Sequence, residues 1–280
     1  MARHPYVVCD VFTDRPLTGN QLAVFTEAER IPAEQYQAIA REMNLSETVF
    51  ALPAASGGDV HIRIFTPVAE LPFAGHPVLG SAFVLAENLA APAIRLETGL
   101  GVIPVALDRE AGRITFGRMQ QPIPTWSLYD RADELLAALG VESSDLPVEG
   151  YRNGPLHVYV ALSSEAAVAA LKPDLGVLAD LPELGANCFA GSGRRWKTRM
   201  FGPALGVAED PATGSAAGPL AVHLARHGRI EFGAEIEISQ GAELKRPSTL
   251  YARAVGTATA IERVEVGGRA VIVARGEFEF

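Results

Sequence analysis

Two glycine-containing turns in this 280-residue chain lead directly into apolar helices, and each could hold an anion. The first is Gly75-His76-Pro77, and the second is Gly214-Ser215. The first backbone N–H groups of a helix have no partner within the helix and carry a partial positive charge, so a carboxylate can bind there. Two such turns facing each other across a domain interface would bind an anionic substrate without the need for an arginine side chain. The alternative is that both glycines only supply tight turns.

Three side chains near these turns could transfer protons. Glu47 follows Ser46 between a predicted helix end and an apolar strand, where a partly buried carboxyl group could act as both general base and general acid. His76 could exchange a proton near neutral pH, and Asp210 precedes the second turn. Each also has a plainer interpretation: a solvated loop residue for Glu47, a structural turn residue for His76, and a helix cap for Asp210.

Missing motifs exclude several other chemistries. The chain has no Cys-x-x-Cys or histidine-rich cluster for zinc, no Walker A sequence and no Gly-x-Ser-x-Gly element. Gly99-Leu-Gly101 continues as Val-Ile-Pro and lacks the dinucleotide-binding fingerprint, and no lysine lies in a recognisable pyridoxal phosphate site. The sequence therefore predicts a reaction without metal or cofactor. The other histidines are interpreted as surface or core residues: His4, His61, His157, His223 and His227.

The composition is typical of a globular protein. Hydrophobic residues make up 48% and charged residues 20% of the chain. The formal net charge of −9 disfavours binding to nucleic acid or to an anionic membrane surface. The sequence shows neither a signal-peptide pattern nor a long apolar segment, which favours a soluble cytoplasmic protein. Cys9 and Cys188 are predicted to be free thiols.

Similar elements are predicted in both halves of the chain. The amphipathic spacing at Pro32–Met43 predicts a helix, and glycine turns precede apolar helices at about Val78–Asn88 and from Pro211 to about His227. Gln120–Trp126 has two prolines and no periodicity, so it is the predicted interdomain linker. Gly191–Arg199 is interpreted as a polar stretch. The predicted strands include Tyr6–Phe12, Leu22–Phe25, Thr48–Leu52, Val60–Thr66, Arg95–Leu107, Val158–Leu162, Ile230–Phe232, Ala252–Ala260 and Ala270–Ala274.

The candidate residues lie in motifs spread over the whole chain. These are Arg41-Glu-Met-Asn-Leu-Ser-Glu47, Arg63-Ile-Phe-Thr-Pro67, Glu70-Leu-Pro-Phe-Ala-Gly-His-Pro77, Asn187-Cys-Phe-Ala-Gly191 and Glu209-Asp-Pro-Ala-Thr-Gly-Ser-Ala-Ala-Gly-Pro219. In this order they resemble the PhzF family of phenazine-biosynthesis isomerases. Further motifs resemble the phenazine branch itself: Gln121-Pro-Ile-Pro-Thr-Trp126, Asn153-Gly-Pro155, Gly193-Arg-Arg-Trp196 and Leu224-Ala-Arg-His-Gly228.

The resemblance implies a diaminopimelate-epimerase-like α+β fold with two similar domains, each a curled sheet around a central helix. We expect an N-terminal domain at 1–125 and a C-terminal domain at 126–280, with the last strand able to cross back to the first domain and the active site between the two. The resemblance also implies a homodimer that acts in antibiotic biosynthesis without metal or cofactor.

The implied reaction converts trans-2,3-dihydro-3-hydroxyanthranilate to its keto tautomer. Glu47 matches the family's catalytic glutamate, which moves a proton from the hydroxyl-bearing carbon to the carboxylate-bearing carbon. His76, Asp210 and Ser215 match positions that line the family's site. Backbone N–H groups at Gly75-His76 and Gly214-Ser215 would bind the substrate carboxylate, with Ser46 orienting Glu47.

Three other functions remain open at this point. An amino-acid epimerase of the same fold needs acid/base groups on both faces of one carbon, usually two cysteines beside the glycine turns, and Cys9 and Cys188 lie elsewhere. A binding protein would hold a small carboxylate without needing a proton shuttle. An isomerase or epimerase of this family could act on another small carboxylate or amino acid.

Overall fold

The chain divides into two compact units. In the computed structural model, which describes residues 2–280, the first unit runs to Gln120 and also contains Gly267–Phe280, and the second unit is Gln121–Val266. The division thus lies at 120/121, whereas the sequence placed a domain boundary at 125/126. Among residues 2–280, no helix has the length and apolar character required to span a membrane.

The first unit is built from strands and two helices. In chain order these are β1 (Arg3–Val11), β2 (Asn20–Phe25), α1 (Tyr36–Met43), β3 (Glu47–Pro53), β4 (Val60–Phe65), β5 (Glu70–Leu71), α2 (Gly75–Leu85), β6 (Ala93–Thr98), β7 (Gly101–Glu110) and β8 (Arg113–Gln121). Short 3-10 turns occur at Ala28–Arg30 and Ala33–Gln35.

The second unit has a comparable set of elements. They are β9 (Thr125–Leu128), α3 (Ala132–Leu139), β10 (Glu149–Arg152), β11 (Leu156–Ala161), α4 (Glu165–Ala170), α5 (Leu175–Ala179), β12 (Leu184–Ser192), β13 (Arg195–Gly202), β14 (Val207–Asp210), α6 (Gly214–Arg226), β15 (Glu235–Gln240), β16 (Ser248–Gly256) and β17 (Ile261–Gly268). A 3-10 turn occurs at Pro203–Leu205, and β18 (Ala270–Glu279) returns to the first unit, where it pairs with β1.

Strand pairing follows the same order in both units. In the first, β18–β1 and β1–β2 are antiparallel, β2–β3 is parallel, β3–β4 is antiparallel, β4–β6 is parallel and β6–β7 is antiparallel. In the second, β9–β10 and β10–β11 are antiparallel, β11–β12 is parallel, β12–β13 is antiparallel, β13–β15 is parallel and β15–β16 is antiparallel. The short strands β5 and β14 each pair with the fifth strand of their series, β4 and β13. The two units therefore share one topology.

Each unit has one almost fully buried helix. In the first unit this helix, α2, contacts β18, β1, β2, β3, β6 and β7, so the sheet curls around it. In the second unit α6 is buried from Gly214 to Ala225 and contacts β11, β15 and β16. A helix surrounded by sheet must be apolar on all sides, which explains why both helices lack the one-sided pattern of a surface helix.

The amphipathic helix α1 has the opposite character. Its predicted apolar positions Tyr36, Ile39 and Ala40 are buried, and they join an aromatic cluster with Phe25 and Phe50. Asn44 ends the helix in the left-handed conformation, with φ of 50°, and the chain then turns into β3. This turn places Glu47 at the first position of that strand.

Several predicted elements are wrong in detail. The predicted linker contains the end of β8 and the start of β9. The two prolines lie between these strands, so the residues on either side of them can still belong to strands. Gly191–Arg199, interpreted from the sequence only as a polar stretch, forms a hairpin, and Gly193 supplies a positive φ at the turn between β12 and β13. Arg95–Leu107 is likewise a hairpin, with Gly101 at positive φ. Ile230–Phe232 is not a strand, and Ala252–Ala260 includes a turn after β16.

Candidate active site

Both buried helices begin without a side-chain cap. The N-cap residues are Ala74 for α2 and Thr213 for α6, and neither makes a capping hydrogen bond through its side chain. Gly75 and Gly214 are the first residues of these helices, as the glycine turns predicted. The first-turn N–H groups have no partner within the helix, so each helix start can donate to a carboxylate oxygen.

In the first unit, the structure brings Glu47 and His76 together. Oε2 of Glu47, whose side chain is 13% exposed, lies 3.3 Å from Nε2 of His76, the second residue of α2. Nδ1 of the same imidazole lies 3.2 Å from Nδ2 of Asn20, at the start of β2. Ser46, directly before Glu47, is partly buried. Two strand starts and one helix start therefore converge on the imidazole.

His76 is neutral in the folded protein. Burial lowers the pKa of its imidazole to about 3, and a hydrogen bond with the backbone of Gln21 only partly opposes this effect. Its contact with Glu47 is thus between a carboxyl group and an uncharged imidazole, not a pair of full charges.

In the second unit, Asp210 is held at the end of β14. Its Oδ2 accepts a hydrogen bond from the hydroxyl of Thr213 at 2.7 Å. The side-chain amide of Gln240 donates to the Asp210 carbonyl at 2.8 Å and to the Thr213 hydroxyl at 2.9 Å. Asp210 is not the N-cap residue of α6, because Thr213 occupies that position, and the Thr213 hydroxyl donates to the Asp210 carboxylate.

The hydroxyl of Ser215 contacts a histidine to which the sequence assigned no role. Nε2 of His157, on β11, lies 2.9 Å from Ser215 Oγ, and its Nδ1 lies 3.3 Å from Nδ2 of Asn187 on β12. His157 is fully buried, which agrees with its interpretation as a core residue. That interpretation did not include its contact with Ser215. The strand that carries His157 contains no family motif, so nothing in the sequence indicated this contact. Asn187, however, begins one of the family motifs.

The first carbonyl groups of α6 also have side-chain donors. The pairs are Gln121 Nε2 to Gly214 O at 2.8 Å, Asn153 Nδ2 to Ser215 O at 3.0 Å, and Tyr159 Oη to Ala216 O at 2.6 Å. Gln121 and Asn153 belong to the motifs that resemble the phenazine branch, which gives those motifs a structural role at this helix start.

Pro219 explains one of these contacts. A proline inside a helix has no N–H and cannot donate to the carbonyl four residues earlier. In α6 that carbonyl belongs to Ser215, and Asn153 supplies the missing donor. The backbone at Ser215 is therefore fixed by a side chain from outside the helix.

One cluster has the residue types of a metal site, although the sequence predicted none. Glu149, His223 and His227 bring a carboxylate oxygen and two ring nitrogens within 4.8 Å of one another. Oε2 of Glu149 already accepts from Arg226 Nη1 at 2.7 Å and from the Tyr151 hydroxyl at 2.8 Å. Burial alone would raise the pKa of Glu149, but these donors and both histidines hold it well below its usual range. A dication would have to displace a guanidinium, so the cluster fits a charge network better than a metal centre.

The cysteines are free and far from either helix start along the chain. Cys9 lies on β1 and Cys188 on β12, and both are buried. Burial raises the pKa of the Cys9 thiol well above its usual range and that of Cys188 to about 12. Neither thiol is suited to proton transfer at neutral pH.

Comparison with known proteins assigns the chain to a family. The sequence profile of PhzC-PhzF, phenazine biosynthesis-like protein, matches residues 9–276. The chain belongs to the PhzC-PhzF family. A trans-2,3-dihydro-3-hydroxyanthranilate isomerase from Pseudomonas aeruginosa is 54% identical over 273 residues, which cover 98% of each chain. The predicted family and the enzyme class, an isomerase, are thereby confirmed.

Solved structures confirm the predicted fold of this PhzC-PhzF protein. A phenazine biosynthesis protein of the PhzF family from Bacillus anthracis superposes with a TM-score of 0.86 at 23% identity and covers 100% of both chains. A hydroxyproline epimerase from Agrobacterium vitis superposes with a TM-score of 0.68 at 14% identity, over 99% of this chain and 91% of the epimerase. The diaminopimelate-epimerase-like α+β fold is thus confirmed.

Proposed function

We propose that this protein converts trans-2,3-dihydro-3-hydroxyanthranilate to its keto tautomer in phenazine biosynthesis. The 54% identity to an isomerase of that name, over 98% of both chains, supports this substrate. The conversion moves protons between atoms of the substrate and shifts the double bonds, and the substrate neither gains nor loses atoms. It therefore requires an acid/base group and a means of binding the carboxylate, with no oxidant or reductant.

Glu47 is the proposed acid/base group. Its carboxylate takes the proton from the carbon that bears the hydroxyl group, and the electron pair of that C–H bond moves into the conjugated system. The same carboxyl group then delivers the proton to the carboxylate-bearing carbon, and the resulting enol tautomerises to the ketone. The observation that carries this mechanism is the largely buried Glu47 carboxyl, 3.3 Å from the uncharged imidazole of His76.

The remaining site residues are proposed to bind the substrate and to relay protons. The helix starts at Gly75 and Gly214 donate backbone N–H groups to the substrate carboxylate, and the Ser215 hydroxyl adds a second type of donor. His76 and Asp210 contact the amine and hydroxyl groups and relay protons, while Ser46 orients the Glu47 carboxylate.

Proton NMR of the purified protein with trans-2,3-dihydro-3-hydroxyanthranilate in D₂O tests this function. Wild type should consume the substrate rapidly and introduce solvent deuterium at the carboxylate-bearing carbon wherever the Glu47 proton exchanges before delivery. Glu47→Gln keeps the shape of the side chain but cannot accept the proton, so the rate should fall by about 10²–10⁴.

A matched control separates this loss from damage to the fold. Glu42→Gln makes the same chemical change at an exposed position on α1 and should leave the rate unchanged. No turnover by wild type would reject the substrate. Turnover by Glu47→Gln at the wild-type rate would reject the role of Glu47.

The epimerase alternative predicts that activity depends on the two cysteines. A two-thiol mechanism would need reactive cysteines, whereas Cys9 and Cys188 are both buried with raised thiol pKa values. A binding protein would retain its affinity for a small carboxylate in the Glu47→Gln variant and would show no turnover in wild type. The NMR experiment therefore separates the isomerase from both alternatives.

We further propose that the protein is a cytoplasmic homodimer, as the family resemblance implies. Its net charge of −9 is consistent with a small anionic substrate being bound locally by helix starts rather than by a broadly basic surface. Light scattering after size exclusion measures the mass directly. A mass near twice 29.7 kDa would support the dimer, and a mass near 29.7 kDa would reject it.

A further inference from the structure

The structure determines which group donates the hydrogen in the contact between His157 and Ser215. A neutral imidazole carries one proton, on either Nδ1 or Nε2, and only the Nε2–H form can donate to the Ser215 hydroxyl. In the Nδ1–H form, Nε2 would instead accept the hydroxyl hydrogen, as it does when histidine activates a serine nucleophile. The two forms give Ser215 opposite functions, so the position of this proton matters for the proposed reaction.

Asn187 sets the position of the proton. The side-chain atom of Asn187 that lies 2.7 Å from the carbonyl oxygen of Gly185 must be the amide nitrogen, because two oxygens cannot share a hydrogen bond there without a proton. The same nitrogen lies 3.3 Å from Nδ1 of His157. Its second N–H therefore points to Nδ1, which must act as an acceptor.

The histidine stays in this form over the physiological pH range. His157 is 0% exposed, and burial lowers the pKa of its imidazole to about 3, with the charge of Arg152 adding to the effect. A neutral ring whose Nδ1 accepts must carry its proton on Nε2. That proton faces the Ser215 oxygen at 2.9 Å.

We propose that Asn187 and His157 are positioning residues that make Ser215 a dedicated hydrogen-bond donor to a carboxylate oxygen. The hydrogen bonds run in one direction, from Asn187 to His157 and from His157 to Ser215. The hydrogen of the Ser215 hydroxyl is then left for an acceptor on the bound substrate, beside the N–H groups of the α6 start. This inference rests on the proposed function, and it excludes a role for Ser215 as a nucleophile.

Asn153 and Pro219 support the same assignment from the backbone side. Because Pro219 cannot donate to the Ser215 carbonyl, Asn153 holds that carbonyl at 3.0 Å. The main chain and the hydroxyl of Ser215 are thus each fixed by a separate side chain. Such double fixation is what a donor needs if it is to meet a ligand atom without reorganising.

Enzyme kinetics on four variants tests the chain of contacts. Ser215→Ala removes the hydroxyl donor, and His157→Leu removes the imidazole that orients this hydroxyl. His157→Gln keeps a side-chain N–H in reach of Ser215. The fourth variant combines Ser215→Ala with His157→Leu. With trans-2,3-dihydro-3-hydroxyanthranilate, Ser215→Ala and His157→Leu should each raise KM about tenfold, since a hydrogen bond to a charged group is lost or misdirected. His157→Gln should recover KM to within about threefold.

The combined variant gives the decisive result. If His157 acts only through Ser215, adding His157→Leu to Ser215→Ala should raise KM no further. Multiplied effects, or a KM for His157→Gln as high as that of His157→Leu, would overturn the inference. Thermal unfolding of all four variants shows whether any change in KM follows from lost stability.

Nitrogen-15 NMR of the histidine side chains provides a readout that needs no substrate. The His157 resonances are identified by their loss in His157→Gln, and they should show a protonated Nε2 and an unprotonated Nδ1 between about pH 6 and 8. An Nδ1–H form or an imidazolium would overturn the inference directly. Failure of wild type to convert the substrate would instead reject the proposed function, leaving the ring-nitrogen spectrum to decide the direction of the hydrogen bonds.

Discussion

The two units share a topology but place their chemical groups on different elements. In the first unit the histidine, His76, is on the buried helix and its partner Glu47 is on a strand. In the second the histidine, His157, is on a strand and its partner Ser215 is on the buried helix. In both, an asparagine side chain lies beside Nδ1 of the imidazole: Asn20 in the first and Asn187 in the second.

This difference shows that the two units share the position of the helix start but not the reactive group beside it. Both helix starts can bind an anion through backbone groups that any sequence provides. What differs is the group beside the histidine, an ionisable carboxyl in one unit and a hydroxyl in the other. We therefore expect changes in the first unit to affect mainly kcat and changes in the second to affect mainly KM.

The largest expected effect tests this division in the first unit. Glu47→Asp retains a carboxylate but withdraws it by one methylene, and a misplacement of about 1 Å can cost about 10²-fold in rate. We expect kcat to fall by about that factor while KM changes by less than about threefold. Steady-state kinetics measures both constants. A large rise in KM with unchanged kcat would mean that Glu47 binds the substrate rather than reacting with it.

A pair of glycine substitutions compares the two buried helices directly. A Cβ at Gly80 would lie 2.6 Å from Leu22 Cδ2, and one at Gly218 would lie 2.3 Å from Gln121 Oε1. Gly80→Ala and Gly218→Ala should each lower the free energy of unfolding by about 1–3 kcal/mol. Only Gly218→Ala should also raise KM, because it displaces the Gln121 amide from the Gly214 carbonyl. Urea denaturation and kinetics on both variants check this, and equal KM values would remove the link between Gln121 and the site.

The pH dependence of stability should show two of the buried histidines, His76 and His157, in parallel. Both have a pKa of about 3 when folded, below the ordinary value of 6.5. The unfolded chain therefore binds more protons between these values, and the free energy of unfolding falls as the pH drops below about 6.5. Each histidine should account for up to about 1 kcal/mol per pH unit. Urea denaturation at pH 7 and pH 5 should show a smaller loss in His76→Asn and in His157→Gln, and the same loss as wild type in the partly exposed control His61→Asn.

The smallest expected effect concerns the cysteines. The double variant Cys9→Ala/Cys188→Ala should keep kcat within about twofold of wild type, because neither thiol belongs to either helix start. Its unfolding should occur at lower urea concentration, since both side chains are buried. Loss of activity in a folded double variant would revive the two-thiol epimerase.

The sequence predicted the features that depend on nearby residues. The spacing of Tyr36, Ile39 and Ala40 correctly identified the buried face of α1, and the glycine turns correctly marked both buried helices. The hairpins at Arg95–Leu107 and Gly191–Arg199 were missed because their turns are short and the strands around them carry charged residues, which hid the alternation.

The role of His157 could not be predicted, for a different reason. Its partners Asn187 and Ser215 lie 30 and 58 residues away, and they meet only when β11, β12 and α6 have assembled. Nothing in the apolar strand Leu156–Ala161 distinguishes a histidine that orients a hydroxyl from one that fills the core. The motif-bearing Glu47 and His76 were found because a family pattern marks them, although they too are 29 residues apart in the chain.

The position of β18 has a consequence for the order in which the protein is made. The second unit is one continuous segment, so all of its residues are synthesised before residues 270–279. The first unit needs those residues, because β1 pairs with β2 on one side and with β18 on the other. Until β18 arrives, one edge of β1 remains open to pairing with other chains. We therefore expect the first unit to complete its fold only after the whole chain has been synthesised and β18 is free to pair, and chains truncated before residue 270 to aggregate through β1.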